Sequence, residues 1–151
     1  MMIILVHPQI PQNTGNVARS CAATKTALRL VPPFGFSLSD RQMKRAGLDY
    51  WDKVDIETLP DLDAFLNESQ SPFFFFSTKG SKFYTDAEYP KNSILIFGSE
   101  TEGLEPKYHQ KYSDRFYRIP MDLELRSLNL ASSAAIVLYE ALRQNAFPNL
   151  S

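Results

Sequence analysis

Short apolar runs that alternate with amphipathic segments are the feature that most constrains how this chain can fold. Runs this short, rich in β-branched and aromatic residues, predict buried strands, and the segments between them carry helix signals. Strands that alternate with helices predict an α/β fold in which a parallel sheet is covered by helices on both faces. The strands are predicted at Met2–Val6, Leu28–Val31, Val54–Thr58, Phe73–Ser77, Ser93–Phe97 and Phe116–Ile119.

Capping and turn residues place the helices between these strands. The residues 13–16 (NTGN) are predicted to form a turn and cap, after which a helix of small residues continues through residues 17–25. Ser39 and Gln42 form a capping box for a helix that ends at Gly47. Because no repeat or linker divides the chain, residues 1–151 are predicted to form a single domain. Further helices are predicted at Asp61–Glu68, Glu105–Tyr112 and Leu130–Arg143, the last of them capped by Asn129.

Composition narrows the class of protein. The chain is 44% hydrophobic and 22% charged, which is typical of a globular protein, and no apolar stretch approaches the ~18 residues needed to span a bilayer. The first residues lack the basic region of a signal peptide, and the one cysteine, Cys21, fits a reducing compartment, so we expect a cytoplasmic protein. The two histidines lie far apart, so no metal site is expected. With a net charge of −1, a nucleic-acid partner would need a local basic patch.

Three polar segments follow predicted strands, at the edge of the sheet where ligands of open α/β proteins bind. The first, NTGNVAR (13–19), ends in Arg19 and lacks the glycines of a dinucleotide fingerprint. The second is GSETEGL (98–104), and the third is RSLN (126–129), directly before a buried helix. Each segment taken alone is equally well explained as a turn or a helix cap.

One group of basic residues is clustered. Arg41, Lys44 and Arg45 are spaced to share one face of the predicted helix that follows Ser39. Such a face can neutralise phosphates of a nucleic acid. A solvated surface helix explains the same spacing.

Read together, the three segments resemble the motifs of the SPOUT superfamily of RNA methyltransferases. The matching sequences are NTGNVAR, IFGSETEGL, and RIPM followed by RSLNLASSAAIVLYEALR; KRAGLDYW and STKG are also similar. The likeness covers nearly the whole chain and is greatest to the bacterial enzymes that methylate the ribose 2′-hydroxyl of the tRNA wobble nucleotide. Ser99 stands where those enzymes usually have proline, and Glu102 where they often have a basic residue.

This resemblance implies S-adenosylmethionine as the cofactor, tRNA as a partner, a deep C-terminal trefoil knot, and a homodimer formed by the first and last helices. It also implies that Asn13, Arg19, Ser127 and Asn129 surround the reacting ribose. Arg126 is expected to bind RNA together with the face of Arg41, Lys44 and Arg45. The implied cofactor contacts are Phe76, Ser77, Gly98, Ser99, Glu100, Gly103, Ile119, Met121, Ser127 and Leu128.

The implied reaction moves a methyl group from a sulfonium to a ribose 2′-hydroxyl, whose proton must be removed or polarised during attack. Arg19 is the candidate for this task, with Asn13 and Asn129, and its ordinary charged state makes orientation of the hydroxyl and a phosphate its expected role. No metal is required, because no phosphoryl group is cleaved. Two alternatives remain at this point: a non-catalytic RNA-binding protein of the same fold, and a flavodoxin-like nucleotide or flavin protein.

Overall fold

A single sheet organises the part of the chain that the computed structural model describes, residues 1–37 and 48–151. Its strands in these two ranges are β1 Met2–Val6, β2 Ala27–Val31, β3 Ile56–Thr58, β4 Phe73–Phe76, β5 Lys82–Phe83, β6 Ile94–Phe97 and β7 Phe116–Arg118. Their order across the sheet is β3-β2-β1-β6-β4-β7-β5, and all neighbouring strands pair in parallel. The α/β class and the parallel sheet are therefore confirmed.

Four α-helices lie within the same described ranges: α1 Pro11–Thr24, α2 Leu62–Glu68, α3 Pro106–Lys111 and α4 Leu130–Gln144. Short 3-10 helices span Leu48–Lys53, Tyr84–Asp86 and Ser113–Arg115. None of the helices in this described part is both long and apolar enough to cross a membrane.

Alternate residues of the central strands point to opposite faces, and each face has its own core. On one face, Ile3, Leu5 and Leu95 pack with residues of α1 and α4, including Val17 and Leu138. On the other face, strand residues pack against α2 and α3 through Leu62, Leu66 and Tyr108; these strand residues are Ile4, Val6, Phe75 and Ile96. Burial on both faces explains why the strands are continuous apolar runs.

Helix α1 begins earlier than the sequence indicated. The prediction that residues 13–16 form a turn is wrong, because the helix starts at Pro11 and includes them. Proline is favoured at the first helical position, where its missing N–H would have no partner within the helix. The residue before it, Ile10, provides no side-chain cap. The carboxylate of Glu100, from a distant part of the chain, lies beside this N-terminus, as described below.

Most other boundaries differ by one or two residues. Strand β3 starts at Ile56 rather than Val54, and Ser77, Ser93 and Ile119 lie just outside their strands. The two-residue strand β5 was not predicted, since Lys82 and Phe83 are both exposed and show no apolar pattern. Asn129 caps α4 as expected, and Asp61, predicted as the first residue of its helix, is instead the cap of α2. The helix predicted to follow Ser39 lies outside the described residues.

The small residues of α1 and α4 serve the chain's own core. Ala18, Cys21 and Ala134 are buried within it, so they are not part of any surface that α1 and α4 could offer to a second copy. Their size lets both helices approach the sheet closely. The outward face of α1 instead carries Gln12, Asn16, Arg19 and Ala23, and that of α4 carries Ser132, Ile136, Tyr139 and Arg143.

Candidate functional site

A cleft of about 790 Å³ opens at the carboxyl ends of β4, β6 and β7. Phe76, Phe97 and Ile119 contribute apolar walls where these strands end. The remaining walls come from the loop after β6 and from the segment between β7 and α4. A cleft of this size, with apolar walls and several polar groups, suits a ligand of nucleoside size.

The loop Gly98–Leu104 closes tightly on itself. The N–H of Ser99 donates to the carbonyl of Gly103 at 3.1 Å, and the N–H of Gly103 donates back to Ser99 at the same distance. A Cβ atom on Gly98 would lie 2.2 Å from the carbonyl carbon of Gly103. Gly98 is therefore required by the loop's own closure, whereas Gly103, at φ +70°, meets no atom within 4 Å.

Hydrogen bonds join the three polar segments at one end of the cleft. The carboxylate of Glu100 accepts the backbone N–H groups of Gln9 and Ile10, at 2.8 and 3.0 Å, and the side-chain amide of Asn13, at 3.1 Å. The oxygen Oδ1 of Asn13 in turn accepts from Nδ2 of Asn129 at 2.9 Å. Oδ1 of Asn129 caps α4 by accepting from the first backbone N–H groups of that helix. We call these three side chains, Glu100, Asn13 and Asn129, the polar chain.

The polar chain places a negative charge beside the N-terminus of α1. A negative carboxylate beside a helix N-terminus is favourable, because the unpaired N–H groups there carry partial positive charge. The helix itself has no acidic residue in its first turn. Glu100 supplies that charge from a loop 90 residues away from Ile10 in sequence.

The segment before α4 lines the cleft with polar, basic and apolar side chains. Arg126 and Ser127 are exposed there, and Leu128 is half-buried beside them. Within the described residues, Arg126 forms no ion pair with a carboxylate. These side chains are therefore available to a ligand in the cleft.

The opposite wall combines the predicted Ser77 with His109, which the sequence did not indicate. Ser77 turns the chain after β4, with its Oγ accepting from the N–H of Lys79 at 3.2 Å. His109 of α3 also lines the cleft, and its ring stacks on Phe116 with centroids 3.9 Å apart. Burial, and secondarily the charge of Lys79, lowers the pKa of His109 below its ordinary value.

All ten predicted cofactor contacts line this one cleft, together with Asn13, Asn129 and Arg126. The residues that sequence reasoning missed are Ile10, Thr78, Lys79, Phe97, Thr101, Glu102, Leu104, His109, Leu130 and Ser133. Thr78 and Lys79 directly follow a strand end, so the rule that ligands bind at such ends could have found them. His109 could not be found this way, because it lies on a helix whose cleft-facing side the sequence does not reveal.

Arg19 does not line the cleft. It lies six residues after Asn13 on the same helix, which places the two side chains about 120° apart around the axis and ~9 Å apart along it. Its guanidinium carbon lies 5.1 Å from the ring centroid of Tyr50, and the side chain is exposed on the outward face of α1. Arg41, Lys44 and Arg45 lie outside the described residues. In the described part of the chain, no cluster of three His, Cys, Asp or Glu side chains could hold a metal ion.

Comparison with known proteins relates this arrangement to one family. The profile of the SpoU rRNA Methylase family matches residues 1–139. A protein of Geobacillus stearothermophilus, provisionally named a tRNA (cytidine(34)-2′-O)-methyltransferase, is 47% identical over 153 residues, which cover 99% of this chain and 98% of that protein.

Two solved structures share the fold. One, described as giving insight into the 2-OH methylation of C/U34 on tRNA, is 39% identical, with a TM-score of 0.90 over 96% of this chain and 95% of that one. The other is an rRNA methyltransferase of Sinorhizobium meliloti with AdoMet bound; it is 25% identical, with a TM-score of 0.82 over 94% of this chain and 55% of that one.

Proposed function

The chain belongs to the SpoU rRNA Methylase family, which confirms the resemblance seen in its three motifs, and on this basis we propose that it methylates the ribose 2′-hydroxyl of the tRNA wobble nucleotide. The chain is an enzyme, a methyltransferase, like its relatives of the same length. The non-catalytic RNA-binding alternative and the flavodoxin-like alternative are not favoured by these relatives. The single observation that best supports the site is the polar chain, which joins all three motifs at one end of the cleft.

S-adenosylmethionine is the proposed cofactor, and the cleft fits it in size and character. Phe76, Ile119 and Leu128 offer apolar surface for its adenine and ribose, while the loop Gly98–Leu104 offers backbone groups. When bound, it supplies a methyl group made electrophilic by a sulfonium. The related rRNA methyltransferase with AdoMet bound supports this assignment.

The chain's own residues then have to position the ribose and to remove or polarise the proton of its 2′-hydroxyl. Asn13 is only 6% exposed and is held at both ends by the polar chain, so its remaining amide hydrogen has a defined direction. We assign Asn13 and Asn129 to positioning, and Ser127, which is exposed at the cleft, to contact with the reacting hydroxyl. Positioning of this kind contributes several kcal/mol to catalysis, up to ~7–11 in good cases.

Arg19 fits this site only if it comes from a second copy of the chain. Its side chain lies on the outward face of α1, and the neighbouring α4 presents Ile136 and Tyr139, which are 38% and 47% exposed. We therefore propose a homodimer that pairs these faces and delivers Arg19 to the partner's cleft. The fully exposed Leu123 and the exposed Leu125, between β7 and α4, give further apolar surface for the contact.

The knot, the single-domain organisation and the cytoplasmic location are also proposals. A deep knot between β7 and α4 is supported by family membership. The fully extended length of the chain, measured by pulling on its two ends, tests for the knot. An unknotted chain of this length extends to about 500 Å, and a knotted chain reaches a shorter length because the tightened knot holds some of its residues. One cooperative unfolding transition is expected for a single domain, and cell fractionation tests the location.

The experiment that tests the function is direct. Purified protein is incubated with unmodified tRNA and methyl-labelled S-adenosylmethionine, with EDTA present, and ribose methylation is mapped nucleotide by nucleotide. Label at the 2′-hydroxyl of nucleotide 34 is the expected result. Label elsewhere, or cofactor binding with no transfer to any tRNA, would refute the proposal.

A further inference from the structure

The edge of the sheet beside the cleft carries a surface that the catalytic site does not use. Strand β5 is the outermost strand, and both of its residues, Lys82 and Phe83, are exposed. It pairs with β7 so that Phe83 lies opposite Arg118, the residue directly before the cleft residue Ile119. Lys79, which lines the cleft, lies three residues before Lys82 along the chain. We call Lys82, Phe83 and Arg118 the β5 edge.

Cations and aromatic rings are interleaved on the β5 edge. The guanidinium carbon of Arg118 lies 5.1 Å from the ring centroid of Phe83, and the ammonium of Lys82 lies 5.6 Å from that of Tyr117. Phe83 is 42% exposed, so part of its ring is open to solvent. The side of the sheet next to the cleft therefore offers planar groups and positive charge together.

The two cations of the β5 edge form no ion pair in the described part of the chain. Within the described residues, neither Lys82 nor Arg118 pairs with a carboxylate: Lys82 donates to the carbonyl of Asp114 at 3.1 Å and Arg118 to that of Gly80 at 3.4 Å. The carboxylate of Asp86 is beside this edge, where it accepts the N–H of Phe83 at 2.8 Å. In a chain with a net charge of −1, such a surface marks a place for a negatively charged partner.

We propose that the β5 edge docks unpaired nucleotides of the tRNA that flank the nucleotide in the cleft. Single-stranded RNA is recognised by aromatic and guanidinium planes on which bases stack, together with cations that neutralise the backbone. The β5 edge combines both, and it continues directly from the cleft wall through Lys79 and Ile119. The inference rests on the proposed function for the identity of the RNA, and it names residues other than the predicted Arg41, Lys44 and Arg45.

Single substitutions separate the two kinds of contact. Lys82→Glu and Arg118→Glu should each weaken tRNA binding about tenfold at low salt and flatten the log–log dependence of affinity on salt by about 0.7 or more, because each removes a phosphate contact. Phe83→Ala should weaken binding by a similar ~10-fold factor and leave the slope unchanged, because stacking releases no counterion. Binding is measured over a salt series, and the affinity for S-adenosylhomocysteine, measured by titration calorimetry, should stay unchanged in all three.

Lys111→Glu provides the matched control. Lys111 is also exposed and also lies over a tyrosine ring, 5.1 Å from the centroid of Tyr112, but it belongs to α3 and its ammonium donates to Asn67 of α2 at 3.3 Å. Lys111→Glu makes the same charge change outside the β5 edge, so its tRNA affinity and salt slope should equal those of the wild type. Melting temperatures of all variants establish that each is folded.

The outcomes distinguish this inference from the proposed function. If Lys82→Glu and Arg118→Glu match Lys111→Glu in tRNA affinity and salt slope, the docking surface is refuted. Methylation of nucleotide 34 by the wild type would still leave the proposed function standing. If the β5 variants weaken binding as expected and the wild type methylates no tRNA, the function fails and the docking surface stands. A wild type that does not bind tRNA at all refutes both.

Discussion

At the scale of single residues, the polar chain shows how a few side chains can be both structural and functional. Glu100 accepts three hydrogen bonds from protein groups, so it is occupied before any ligand arrives. Removing one partner from such a network leaves another polar group unpaired, at a cost of ~1–3 kcal/mol. The side chains that hold the site together are therefore expected to affect stability as well as catalysis.

Thr14 on α1 illustrates the opposite case. It is fully buried, and its hydroxyl is the one buried side-chain oxygen or nitrogen of the described residues without a hydrogen-bond partner. Thr14→Val keeps the shape and removes the unpaired hydroxyl, so the free energy of unfolding in urea should rise by about 1 kcal/mol. Thr24→Val is the control and should lower it, because the Thr24 hydroxyl donates to Ser20 at 2.8 Å. A less stable Thr14→Val would show that its hydroxyl is satisfied.

His109 should make stability depend on pH. Its pKa in the folded protein is lowered, by burial and then by Lys79, below the ordinary value of 6.5. The unfolded chain therefore binds the proton more readily, and stability falls as the pH drops through the ordinary value. Between about pH 7.5 and pH 5.5, the urea midpoint of the wild type should fall more than that of His109→Asn. Parallel midpoints would mean that the imidazole titrates normally.

At the scale of elements, the loop after β6 and helix α1 depend on each other. The loop presents Glu100 to the helix N-terminus only because its own backbone closes through Ser99 and Gly103. A change that opens the loop should therefore disturb both the cleft and the start of α1.

Gly98→Ala tests this dependence, with Gly103→Ala as the matched control. The added Cβ of Gly98→Ala would lie 2.2 Å from Gly103, so the loop must open and the affinity for S-adenosylhomocysteine should fall at least ~10-fold. At Gly103 the added methyl meets nothing within 4 Å, and the positive φ costs roughly 1 kcal/mol of stability. Titration calorimetry measures the affinity of both variants for S-adenosylhomocysteine. Equal affinities in the two variants would mean that loop closure does not shape the cleft.

At the scale of the whole molecule, the position of Arg19 favours a site shared between two copies. The outward faces of α1 and α4 lie side by side, since the two helices pack on the same face of the sheet. Pairing these faces in a two-fold dimer would bury Ile136 and Tyr139. Sedimentation equilibrium at micromolar concentration should then show a dimer, with an interface above ~2,000 Å² if it is obligate.

Mixing two inactive variants tests the shared site. Arg19→Ala and Ser127→Ala should each lower the rate of methyl transfer at least ~100-fold, by about 2.7 kcal/mol. If the two residues come from different copies, each mixed dimer has one intact site, and an equimolar mixture after subunit exchange should recover about a quarter of wild-type activity. No recovery, with exchange confirmed, would place both residues in one copy. Arg19→Ala with normal turnover on its own would remove Arg19 from the site.

The sequence by itself determined the layers of this protein and the location of its cleft. Continuous apolar strands must be covered on both faces, and the polar segments that follow Phe76, Phe97 and Arg118 must gather at one edge, because parallel strands end there together. These are consequences of local pattern and strand direction, which a single sequence carries.

Only the tertiary structure decided how the parts of the site face one another. Helix α1 starts at Pro11, beside the carboxylate of the sequence-distant Glu100, and this start puts Asn13 and Arg19 on different faces of one helix. His109 entered the cleft wall through the packing of α3, and β5 formed by pairing with β7. Contacts between residues far apart along the chain depend on packing and pairing energies that no local pattern encodes, so these features could be seen only in the folded molecule.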